Sequence, residues 1–187
     1  IDLRGVITGK NGALINITSN DSNVTMGDTR VSNANPNNII ADGDVTIKVT
    51  NGDVLNNGVK TNHIVTSDGA DLTIDVTNGA IGEDLTCANG VCTGIGPNGR
   101  DLTKSINAAV DGTITASSTQ GSRNKSVANI ASIDHDMNIN KISADGRVIL
   151  LADSTNSGET AYNILNRSED RTGKTCLLYT SDAADEA

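Results

Sequence analysis

The sequence predicts an all-β fold, a parallel β-helix in which short strands stack as successive coils. Three observations predict it. A strand repeats: ADGDVTIKVTNGD at residues 41–53 returns as SDGADLTIDVTNGA at residues 67–80. The composition is narrow, with 19 Gly, two Tyr, no Trp and no Phe in 187 residues. And Asp-Gly stands just ahead of an apolar residue at Asp42-Gly43, Asp68-Gly69, Asp111-Gly112 and Asp145-Gly146.

The two clearest copies alternate strictly. Val45, Ile47 and Val49 take one side and Thr46, Lys48 and Thr50 the other; Leu72, Ile74 and Val76 are likewise opposed by Thr73, Asp75 and Thr77. A period of two is the signature of a half-buried strand, so the six apolar residues are the expected core ladder. Shorter versions stand at ALINITSN (13–20), GTITAS (112–117) and HDMNINKIS (135–143). Both clear copies end at Asn-Gly, Asn51-Gly52 and Asn78-Gly79, which is also the commonest hairpin turn. A hairpin needs a matching strand next, however, and after Gly52 the chain offers only DVLNNG. Coils fit better: each exposes an apolar face that only its neighbours can cover, stacked about 4.8 Å apart. At roughly 20–30 residues per coil the chain would hold about six to eight coils. A narrow tube has no room for many aromatic rings. The alternative fold is an antiparallel β-sandwich, which also has short strands and frequent turns but draws on large core anchors that are missing here.

Charge excludes some functions. The formal net charge is −9. Binding to nucleic acid or to anionic lipid needs a basic face, so neither is expected. No apolar run is long enough for a membrane span, so no membrane insertion is expected either. The chain opens inside a β-like pattern, IDLRGVITGKNG, and is expected to be an internal piece of a longer protein.

Residues 79–108 interrupt the pattern, with a loop insertion at about 82–104. Cys87 and Cys92 flank Ala-Asn-Gly-Val. In an oxidising compartment such a pair closes a small loop as a disulfide. Free thiols are the alternative. A metal site lacks a second cysteine pair, and His63 and His135 are remote, so no metal is expected. GIGPNGRD (94–101) has three glycines without the strand-to-helix setting of a phosphate cradle. SEDRTGKT (168–175) has Ser168 where the first glycine of a phosphate loop belongs. Asp134, His135 and Asp136 sit together, but beside Ile133 and Met137 they read as a solvated turn. No catalytic set and no cofactor site is expected.

NGAIGEDLTCANGVCTGIGPNGRDLTKSINAAVDGTITASS, followed by NIASIDHDMNINKISADGRVILLADSTNSGETAYNIL, resembles the large leukotoxin-like filamentous adhesins, relatives of the filamentous haemagglutinins. The resemblance covers roughly residues 79–166 and rests on the repeats and the loop. It implies a right-handed parallel β-helix, type V secretion through an outer-membrane partner, and presentation at the bacterial cell surface. Partners would be host-cell surfaces, extracellular matrix or glycans. Residues 176–186, CLLYTSDAADE, resemble the translation of a sequencing-library transposase adapter. Residues 176–187 are therefore expected to be an artefactual tail on a metagenomic fragment, with 1–175 the β-helix segment. The tail carries Asp182, Asp185 and Glu186 and no basic residue; without it the net charge is −6.

The expected function is an adhesive or structural shaft and not an enzyme. The alternative is a polysaccharide-acting β-helix lyase or hydrolase, against which the scarcity of aromatic sugar platforms counts.

Overall fold

A computed structural model describes residues 1–27, 38–84, 86–88, 91–93, 102–119, 126–153 and 162–167; for 86–88 and 91–93 only the backbone is described. The expected tail, residues 176–187, lies outside them. The described residues are all-β, with no helix, and so with none long and apolar enough to cross a membrane.

The chain runs in passes. The first holds β1 (Asp2–Leu3), β2 (Ile7–Gly9) and β3 (Ile15–Asn20); the second β4 (Val24–Met26), β5 (Ile39–Ala41) and β6 (Val45–Thr50); the third β7 (Val54–Asn56), β8 (Ile64–Thr66) and β9 (Leu72–Thr77). The fourth carries a small antiparallel pair, β10 (Thr86–Ala88) and β11 (Val91–Thr93), then β12 (Ile106–Ala109) and β13 (Ile114–Thr119). β14 (Val127–Ile133) and β15 (Met137–Ala144) form the fifth, β16 (Arg147–Asp153) and β17 (Ile164–Asn166) the sixth. Three parallel sheets result. The first is β1-β4-β7, the second β2-β5-β8-β12-β14-β16, the third β3-β6-β9-β13-β15-β17. Isolated parallel bridges, Val54 to Ile81 and Ile81 to Ala128, carry the first sheet onward into β14.

The third sheet follows directly from the alternation. Val45, Ile47 and Val49 stand opposite Leu72, Ile74 and Val76, which stand opposite Ile114, Ala116 and Ser118. All six apolar residues of the first two triplets are at most 1% exposed. They share one core with Val24, Met26 and Val54 of the first sheet and Ile39, Ile64, Ile106 and Ile130 of the second. Each three-residue strand of the first sheet's later passes sends its first and third residues inward, as Val24 and Met26 do. Such pieces are too short to show a period in sequence.

The corners explain the Asp-Gly and Asn-Gly pairs. After the first three third-sheet strands, β3, β6 and β9, the chain turns at a residue with positive φ: Asp21 (59°), Asn51 (55°) and Asn78 (60°). Asn and Asp tolerate this left-handed region better than other side chains. The asparagines also form a ladder, Asn78 Nδ2 donating to Asn51 Oδ1 and Asn51 Nδ2 to Asp21 Oδ1, each at 2.7 Å. The glycine that follows is required for a different reason. A Cβ on Gly79 would collide with the Gly52 carbonyl oxygen, and one on Gly52 would lie 2.5 Å from that of Ser22. At the corner before the third sheet, carboxylates clamp one pass to the next. Asp42 accepts from the amides of Asn11 (2.8 Å) and Gly12 (2.9 Å), Asp44 from Asp71 (2.9 Å), Asp71 from Thr113 (2.6 Å), and Asp111 from Gly69 (2.7 Å).

Candidate functional surface

The third corner, between the first and second sheets, is where the passes differ. Residues 4–6, 27–38, 57–63 and 82–105 connect the two sheets in the first four passes. In the fifth the first-sheet bridge and the second-sheet pairing both fall within β14. In the first three passes the other two corners take three to five residues each, while this edge takes 3, 12 and 7, and in the fourth pass it takes 24; loops of variable length on a rigid scaffold are the usual place for recognition.

Buried asparagines hold the edge in place. Asn56 Nδ2 donates to the carbonyls of Val59 (2.7 Å), Leu102 (2.8 Å) and Ser105 (2.9 Å). Asn107 Nδ2 donates to Leu102 (3.0 Å), Thr61 (3.2 Å) and Val59 (3.3 Å), and Asn129 Nδ2 to Glu83 (2.9 Å). Asn62 donates to the Ile133 carbonyl at 2.8 Å. All seven residues of β14 are buried, so its outer face is covered where these connections cross it. Lys104 and Glu83 pair at 3.0 Å where the long connection leaves and rejoins the stack. No periodicity announces these asparagines; only Asn56, two places after Val54, could have been placed inward by alternation.

His63 lies at the foot of the 27–38 connection and is fully buried. Its carbonyl accepts from the amides of Asn38 (2.8 Å) and Ile39 (2.9 Å), and its Nδ1 is 3.3 Å from Asn38 Oδ1. Among the described residues its Nε2 has no hydrogen-bond partner. Burial lowers its pKa to about 4, because the charged ring would lose its hydration without compensation. The ring is neutral at physiological pH.

The long connection carries β10 and β11, antiparallel, with Cys87 directly opposite Cys92. The side chains of both cysteines lie outside the described residues. Arg100 and residues 94–101 lie outside them too.

Asp134, His135 and Asp136 form the turn from β14 to β15, with Asp134 at a positive φ of 57°. Stacking adds what sequence distance hid. Asp111 from the pass before and Tyr162, Asn163 and Arg167 from the pass after line the same open groove, of about 530 Å³. Its polar groups are partly committed to the fold. Asp136 Oδ1 accepts from the Asn163 amide (2.7 Å), Asp111 clamps Gly69, His135 Nδ1 donates to the Asp136 carbonyl (2.7 Å), and Arg167 Nε donates to Asn138 Oδ1 (3.2 Å). Among the described residues no group of three or more His, Cys, Asp or Glu side chains is arranged to hold a metal ion.

No family model matches this chain, and neither a curated protein nor a solved structure matches it.

Proposed function

We propose that this chain is a shaft segment of a secreted bacterial surface adhesin, its three sheets closing as a right-handed parallel β-helix. The observation that carries the reading is the pairing itself. Apart from β10–β11, every strand among the described residues pairs only in parallel with its counterparts in adjacent passes. A body built this way grows by repetition and gains length without a change of cross-section. Its right hand rests on the general preference of parallel crossover connections. Corners of three to five residues beside an edge whose connections run from 3 to 12 residues over the first three passes suit a rod that displays loops. An acidic, export-compatible composition suits the outside of the cell, where host surfaces, matrix or glycans would be the partners.

The polysaccharide-enzyme reading has one observation in its favour, the groove holding His135 and Tyr162. The committed hydrogen bonds of Asp111 and Asp136 weigh against it, since a general acid or base has to be free to exchange a proton with substrate.

The test sets binding against turnover. Immobilised protein is exposed to host cells, matrix proteins and a glycan array, and the same preparation is incubated with acidic polysaccharides. Binding without cleavage is the expected result. Polysaccharide cleavage that survives rigorous purification and disappears in His135→Ala would overturn the shaft reading.

A further inference from the structure

We propose that Cys87 and Cys92 are a disulfide-forming pair whose oxidation holds the β10–β11 arm in its paired form. Among the described residues this arm is the one element outside the three parallel sheets. Its strands have three residues each. A two-stranded hairpin with no further strand beside it is marginal at best in water. The bonds described at the base of the long connection involve Glu83, Leu102, Lys104 and Ser105.

The register supplies the missing constraint. Cys87 faces Cys92, with Thr86 opposite Thr93 and Ala88 opposite Val91. Directly opposed residues of an antiparallel pair have Cα atoms about 4.5–5.5 Å apart. That lies within the range of about 4.4–6.8 Å that a disulfide spans. Between Ala88 and Val91 the sequence is Asn89-Gly90, a pair that favours two-residue hairpin turns. A slip of one residue would take the cysteines out of opposition.

Oxidation joins the two sulfurs by one S–S bond and releases two protons and two electrons. A low-molecular-weight disulfide accepts them and is cleaved to two thiols, through thiolate attack and a mixed disulfide. The closed loop is short, so the entropic gain acts on the arm far more than on the stack, which has its own core. The arm is thus conditionally ordered: paired where the surroundings are oxidising and released where they are reducing. This follows from the register and stands whether or not the chain serves as an adhesin.

The test uses the whole chain carrying Cys176→Ser, equilibrated with oxidised glutathione or with dithiothreitol. After oxidation, the tryptic peptide spanning residues 61–100 should be lighter by two hydrogens and inert to iodoacetamide. Amide exchange over residues 86–93 should be slower in the oxidised protein by about tenfold or more, with exchange in β6 and β9 unchanged. The double variant Cys87→Ser, Cys92→Ser should exchange like the reduced protein. Alkylation of both thiols after oxidation would overturn the proposal, as would equal protection of 86–93 in both states.

Discussion

At position 63 the fold buries a histidine with one ring nitrogen unpartnered among the described residues, and the consequence of that burial is a pH dependence with a definite sign. The ring's pKa falls from 6.5 to about 4 on folding. Above pH 6.5 both folded and unfolded chains hold it neutral and it contributes no slope. Between pH 6.5 and 4 the unfolded chain takes up the proton and the folded one does not, so stability falls as pH drops. Below pH 4 both are protonated and the loss levels off, at roughly 3 kcal/mol in total. Denaturant titrations at pH 7 and pH 4 should show this loss in the native chain, reduced in His63→Gln. An identical pH slope in the two would remove His63 as its cause. Nothing in the sequence marks this residue: Thr61-Asn62-His63-Ile64 has no pattern that sets the ring inside. Asn51 and Gly52 were legible as a corner, but their division of labour was not. Asn carries the left-handed backbone, and Gly leaves room for a carbonyl from the neighbouring pass.

That close approach belongs to the strands as stacked elements, and it can be tested there. Gly79→Ala would drive a methyl group into the Gly52 carbonyl, so either the corner opens or β9 shifts against β6. Gly5, where an added methyl group would meet nothing within 4 Å, is the matched control. The expected outcome is a loss of about 3 kcal/mol or more for Gly79→Ala and less than about 1 kcal/mol for Gly5→Ala, read from chemical denaturation. Equal effects would mean that the corner does not constrain the stack. The third sheet was legible because six alternating residues suffice to display a period of two. The first and second sheets were largely not. Val54-Leu55-Asn56 reads as part of a turn and is in fact β7, with Val54 and Asn56 inward. Three residues carry no period; their inward sense comes from bonding to β4, which no local pattern records.

Across the whole molecule the spacing between passes explains what could be read and what could not. Equivalent corner residues are 30 apart from Asp21 to Asn51 and 27 apart from Asn51 to Asn78. They widen to 42 from Gly69 to Asp111, across the pass that holds the long connection. The sequence therefore shows the repeat and its interruption, but not which distant corners meet. Asp111, Asp134 and Tyr162 come together only because passes stack, which is why the groove they line was invisible along the chain.

The central claim is that length is added by stacking, and the most direct measurement is to add length. Residues 45–71 form one full pass, since Val45 and Leu72 are paired equivalents. Three extra copies of 45–71 inserted ahead of Leu72 should extend the particle by about 14 Å at about 4.8 Å per pass. Small-angle X-ray scattering should then report a longer maximum dimension and an unchanged cross-sectional radius of gyration. A thicker particle of the same length, or loss of the folded state, would contradict the account.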